Sequence, residues 1–110
     1  DVEVIRDKAI IALFLHEGCR RGAVHKLQVK DLHYDQGVAH VRFREKREKK
    51  FSVMLHPVVQ SALFAYLQEA GNRDTPDAPL FLSMKGKAYT PNPLSTKQIY
   101  NIIRDHGKKE

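Results

Sequence analysis

The chain lacks most of what marks a secreted, membrane or metal-dependent protein. It has one cysteine, Cys19, and no tryptophan among 110 residues. A lone cysteine cannot close an internal disulfide, and nothing around it has metal-ligand spacing; a reducing, cytosolic setting fits. The six histidines, at 16, 25, 33, 40, 56 and 106, show no His-Glu-x-x-His or paired spacing, so no metal is expected. A Gly-rich phosphate loop is also missing. The longest apolar run, AIIALFL, covers residues 9 to 15. A bilayer span needs about twenty residues, so no membrane partner is expected. The opening Asp-Val-Glu-Val is acidic where a signal peptide would be basic. There is no internal repeat and no low-complexity tract. Both ends look interrupted: the chain opens almost directly in a helix, and Lys108-Lys109-Glu110 adds no apolar element to close a core. Residues 1–110 are therefore expected to be one partial domain.

What is abundant is positive charge. Nineteen Lys and Arg face thirteen Asp and Glu, for a net +6 and a pI near 9.6. A small domain this basic points to a polyanion, with nucleic acid ahead of an anionic membrane surface; the alternative is a charge excess that serves solubility. Hydrophobic residues make up 42%, which is ordinary for a globular core.

Periodicity divides the chain. Residues 2 to 17 predict a helix apolar nearly all round, with Val4, Ile5, Ile10, Ile11, Leu13, Phe14 and Leu15, and Gly18 as its left-handed stop. Residues 20 to 27 predict one or two further helical turns. The period then changes to two. A short strand is expected at 29–34, a turn at Asp35-Gln36-Gly37, and a strand at 38–44 with Ala39, Val41 and Phe43 inward. A third strand is expected at 51–55 with Phe51, Val53 and Leu55 inward, joined through the charged tip Glu45-Lys46-Arg47-Glu48-Lys49-Lys50. Pro57 opens a helix that runs to Ala70 and stops at Gly71. Residues 72–79 predict a loop, 80–82 a short apolar anchor and 83–94 a second loop. Ser95 and Gln98 form a capping box for the last helix. The fold class is α+β, mainly helical with a small three-stranded antiparallel sheet.

Three places can carry chemistry. After Gly18, Arg20 and Arg21 stand between two helices, where an arginine fork and free backbone N–H groups suit a phosphate; the alternative is a surface Arg pair ending a helix. From Arg42 to Lys50, six basic residues against two acidic ones give a net +4. A protruding ribbon of this kind (Arg42, Arg44, Lys46, Arg47, Lys49, Lys50) can reach phosphates in a groove; the alternative is a solvated hairpin whose charges block edge pairing. On the last helix Lys97, Asn101, Arg104 and Lys108 share one face, and Arg and Asn are the usual readers of guanine and adenine; the alternative is a plain solvated face. Tyr34, Tyr66, Tyr89 and Tyr100 have no setting that would make them nucleophiles, and Tyr34 and Tyr66 sit at packing positions.

These features occur in one order: Gly18-Cys19-Arg20, a strand–turn–strand with Gly37, a basic hairpin returning through Val53-Met54-Leu55-His56-Pro57, Leu80-Phe81, and Ser95-Thr96-Lys97-Gln98-Ile99-Tyr100. The series resembles the catalytic domain of the tyrosine recombinases, which include phage integrases and Xer-type recombinases, over nearly the whole chain. Members typically carry Thr-Gly-Leu-Arg-x-Ser-Glu-Leu at the first motif and Val-Pro-Leu-His-Pro after the hairpin. The resemblance implies a site-specific DNA recombinase that breaks and rejoins double-stranded DNA through a 3′-phosphotyrosyl intermediate and needs no cofactor. Arg20 matches the first catalytic arginine and Lys46 the hairpin lysine, with Lys49 as second choice. The DNA-binding set would be Arg21, Arg42, Arg44, Arg47, Lys49, Lys50, Lys97, Asn101 and Arg104.

The same resemblance implies a DNA-bound tetramer at full length and a cytoplasmic, nucleoid-associated protein of bacterial or phage origin. Glu17, Cys19, Gly22 and Ala23 depart from the usual Thr, Leu, Ser and Glu, and Met54 replaces a proline. The His-x-x-Arg box and the nucleophilic tyrosine do not occur in the sequence, so these 110 residues alone are expected to be inactive. A non-catalytic DNA-binding relative or regulator with the same fold is the alternative.

Overall fold

The computed structural model describes residues 2–18, 21–44 and 50–108. Four helices surround two small antiparallel sheets. They are α1 (Val2–Glu17), α2 (Arg21–His25), α3 (Pro57–Ala70) and α4 (Thr96–Lys108). The strands are β1 (Leu32–Asp35), β2 (Val38–Arg44), β3 (Lys50–Met54), β4 (Leu82–Lys85) and β5 (Ala88–Pro93), ordered β1-β2-β3 and β4-β5. The α+β class expected from periodicity is the one observed.

Alternation fixes the larger sheet. Ala39, Val41 and Phe43 are buried, and Leu55 continues the ladder with its N–H on Ala39 O at 2.9 Å. A one-residue slip would turn this apolar row into water, so burial sets the register. α1 and α3 pack against each other, and Ala9, Ile10, Leu13, Val59, Leu63 and Leu67 are buried with the sheet's inner face in one core. α1 is less enclosed than its sequence implies: Val4 and Leu15 are 47% and 67% exposed. Phe51, also expected inward, stays 41% exposed with its ring 5.5 Å from Phe43. Tyr34 likewise lies mostly in water, 6.3 Å from Phe64.

Two segments differ from expectation. Residues 29–34 are not one strand: Val29–Asp31 form a 3-10 turn before β1. The Asp31 carboxylate accepts the Gln28 N–H at 2.9 Å, a local bond that competes with a strand. The Val29 and Lys30 N–H groups go instead to Ala78 O and Pro76 O. Residues 83–94, expected as a loop, form the β4–β5 hairpin around Gly86, whose φ of +65° suits a residue without Cβ. Pro91 and Pro93 hide this strand in the sequence. They are tolerated because β5 pairs on one side only.

A buried hydroxyl holds the second sheet in place. Tyr66 of α3 donates to Leu80 O and accepts from the Leu82 N–H, both at 2.8 Å. Burial pushes the Tyr66 phenol well above its ordinary ionisation range, against the smaller lowering by the Leu82 N–H. Asn72, just beyond α3, donates to Pro79 O at 2.9 Å and Leu80 O at 3.2 Å. From α1 the buried Arg6 reaches Leu82 O at 3.3 Å and pairs with Asp7 at 3.0 Å.

α3 begins at Pro57 and stops at Gly71 in the left-handed region, as expected. At the start of α4 the capping box closes: Gln98 N–H donates to Ser95 Oγ at 3.1 Å, and Ser95 N–H to Gln98 Oε1 at 2.9 Å.

Candidate nucleic-acid interface

The basic hairpin is the most concentrated positive feature. β2 and β3 pair with Arg42 opposite Ser52 and Arg44 opposite Lys50. Arg42 is exposed, on the face opposite the buried Val41 and Phe43. The register therefore brings Arg44 and Lys50 together across the ladder, where the strands enter the tip. Lys46, Arg47 and Lys49 lie outside the described residues, as do Cys19 and Arg20. Arg21 opens α2.

The end of α1 and the start of α2 are described on either side of residues 19 and 20. Gly18 takes φ +63° and donates to Phe14 O at 3.2 Å, which ends α1. Glu17, one of the departures from the family pattern, accepts the His56 N–H on Oε1 at 3.1 Å. The His16 and His56 rings stack 4.4 Å apart. These contacts join the residues just before Cys19 and Arg20 to the return of the hairpin into α3. His16 and Glu17 are thus neighbours of His56, far away in sequence, at the α1–α3 edge. Further along the chain, α2 packs against α4, and His25 Nδ1 donates to Leu94 O at 2.6 Å.

α4 divides its polar residues. Lys97 and Arg104 are exposed. Arg104 bonds Asp105 at 3.3 Å and lies 5.8 Å from the Tyr100 ring centroid. An exposed pair of this kind contributes little and is readily exchanged for another anion. Asn101 instead is half-buried in a cleft of about 580 Å³ between α1 and α4. Glu3, Asp7 and Asp105 line that cleft beside Arg6 and Lys8, and Arg6 is already paired to Asp7. Three carboxylates make it a poor seat for a phosphate. Among the described candidate residues, Arg42, Lys97 and Arg104 are exposed cations.

Among the described residues no group of three or more His, Cys, Asp or Glu could hold a metal ion. No helix among them is long and apolar enough to cross a membrane.

This arrangement, helices about a three-stranded antiparallel sheet, is that of tyrosine recombinase catalytic domains. The crystal structure of XerA recombinase superposes with a TM-score of 0.72 at 27% identity, over 96% of this chain and 36% of that one. The XerH site-specific recombinase, bound to difH substrate in a pre-cleavage complex, gives 0.66 at 25% identity, over 94% of this chain and 30% of that one. The chain belongs to the phage integrase family, whose profile matches residues 1–110. It is similar to tyrosine recombinase XerA of Pyrococcus furiosus (strain ATCC 43587 / DSM 3638 / JCM 8422 / Vc1), with 26% identity over 105 residues. That match covers 96% of this chain and 35% of the relative, so the chain spans about a third of the length of its curated relative.

Proposed function

We propose that this chain is the first part of the catalytic domain of a site-specific recombinase that acts on double-stranded DNA. The observation that carries the proposal is the contact of Glu17 with His56 in a family-matched fold. Glu17 and His56 join the edge of the Gly18-Cys19-Arg20 segment to the return of the basic hairpin. XerH, a structural neighbour, is bound to its difH substrate, which supports a DNA partner here.

In the reaction proposed, a tyrosine elsewhere in the protein attacks a backbone phosphate. It forms a 3′-phosphotyrosyl bond and expels a 5′-hydroxyl, and a second strand's 5′-hydroxyl reverses the step. Arg20 would hold the non-bridging oxygens and stabilise the charge that builds on them. Lys46, or Lys49, would protonate the leaving 5′-oxygen. Arg21, Arg42, Arg44, Arg47, Lys50, Lys97 and Arg104 would hold the DNA, chiefly by its phosphates, while Asn101, in the acid-lined cleft, is dropped from that set. A tetramer on DNA is the assembly proposed. These 110 residues, which lack a His-x-x-Arg box, would not cleave DNA alone.

The test is Arg20→Ala in the full-length protein. Strand cleavage should fall by roughly 10²–10³-fold, the size seen when one charge-stabilising donor is removed, with duplex affinity changed less than about threefold. Normal cleavage with a large loss of affinity would contradict the catalytic role. A second reading, a non-catalytic DNA-binding relative, is favoured by Ala23, which packs against the core where family members usually carry an acidic residue. It predicts full duplex binding and no cleavage by wild type.

A further inference from the structure

We infer that Glu17 is a positioning residue for strand cleavage, which anchors the end of α1 to the start of α3 and so places the chain that leads into Arg20. The inference rests on the recombinase reading above and deepens it. Glu17 is the last residue of α1, and its Oε1 accepts the His56 N–H at 3.1 Å. The residue before it holds the same partner: the His16 ring stacks on the His56 ring at 4.4 Å, with planes inclined by 15°. Immediately afterwards Gly18 turns the backbone at φ +63°. Two side chains of the last turn of α1 are thus fixed on one residue of a distant segment.

The carboxylate answers a need of α3. His56 caps that helix, with its Nδ1 accepting the Val58 N–H at 3.1 Å. In a capping box the N–H of the cap residue is taken by a Glu or Gln three positions on. Here that position is Val59, which is fully buried and has no acceptor to offer. Glu17 supplies the carboxylate from another helix instead. A negative charge is unfavourable at the C-terminus of its own helix and favourable at the N-terminus of α3, so the contact with His56 offsets a poor local placement. The sequence shows the same exchange. Family members usually carry Thr at this position and an acidic residue at the position of Ala23. The carboxylate three residues after Arg20 is therefore absent here, and one stands three residues before it.

Glu17 acts through the backbone and not on DNA, because a carboxylate repels phosphate. Three residues of chain reach at most about 11 Å, so a shift at the end of α1 passes to Arg20 with little slack. Catalysis is sensitive to such shifts: a displacement of about 1 Å in a reacting group can cost on the order of 10²-fold in rate. Duplex affinity is spread over several cations and is not. Loss of the anchor should therefore separate rate from affinity.

The test is single-turnover cleavage by the full-length protein of duplex fragments from its own genome, with duplex affinity measured alongside. Glu17→Ala should slow cleavage about tenfold, the scale of one hydrogen bond to a charged group, and leave affinity within about twofold. Glu17→Gln keeps an oxygen that accepts the same N–H, and its rate should stay within about threefold of wild type. Glu69→Ala, which removes an exposed carboxylate elsewhere on α3, should change neither quantity. Wild-type cleavage by Glu17→Ala, an equal loss of rate in Glu17→Gln, or a parallel loss of rate and affinity would each overturn the inference alone. Duplex binding without cleavage by wild type would overturn the recombinase reading and this inference with it.

Discussion

α3 and α4 differ by a single residue in length, 14 against 13, but their surroundings diverge. α3 buries Val59, Leu63, Tyr66 and Leu67 and lies against α1. It also holds the residues 80–82 through the Tyr66 hydroxyl, so α1, α3 and the second sheet form one mechanical unit. α4 buries Ile99, half-buries Ile102 and Ile103, and leaves Lys97 and Arg104 in water. One helix is held by its interior, and the other keeps two cations in water. The sheet repeats the division across its two faces: Val41 and Phe43 face the core while Arg42 faces out. Stability and nucleic-acid affinity should therefore respond to different substitutions.

The largest effect on stability should come from Leu63→Ala. Truncating this buried side chain should cost about 2–5 kcal/mol in urea unfolding, without changing the salt dependence of DNA binding by the folded fraction. An equal loss in Arg104→Ala would erase the contrast between the helices. Tyr66→Phe should cost less, about 1–3 kcal/mol, because it strands the buried Leu82 N–H, while Leu80 O keeps its bond from Asn72.

The same residue gives a signed pH effect. The Tyr66 phenol ionises above its ordinary value in the fold, so the unfolded chain releases this proton first. Its contribution is fully present below about pH 10 and is lost as the pH rises beyond that value. Thermal melts from pH 8 to 11 should show a steeper alkaline decline in wild type than in Tyr66→Phe. Parallel curves would remove Tyr66 from this role. The smallest effect on stability belongs to Arg104→Ala, within about 0.5 kcal/mol. It should reduce the slope of log affinity against log salt by about 0.9 if Arg104 meets one phosphate. An unchanged slope would leave Arg104 outside the interface.

Much of the main sheet was legible in the sequence because burial and period coincide there. Ala39, Val41 and Phe43 alternate with polar residues, Gly71 marks the end of α3, and Ser95 with Gln98 marks the start of α4. What stayed hidden depends on pairing between distant residues. Pro91 and Pro93 argue for a loop until β4 supplies a single-sided partner. Val29 looks like strand until its N–H goes to Ala78 O. Asn101 shares its helix face with Lys97 and Arg104 in projection, yet it meets the cleft beside α1. The three candidate regions were legible as an ordered series, and the Glu17–His56 contact supplies the proximity that no spacing encodes.

The central claim, that this chain belongs to a DNA-breaking enzyme, is tested most directly by denaturing electrophoresis. The full-length protein would be incubated with fragments of the DNA of its own genome, and any covalent adduct digested and sequenced by mass spectrometry. The account predicts a denaturant-resistant protein–DNA adduct, linked through a tyrosine and absent from Arg20→Ala. A protein that binds duplex DNA but forms no adduct under any condition would contradict it, leaving a DNA-binding relative in which Arg20 and Lys46 have no catalytic part.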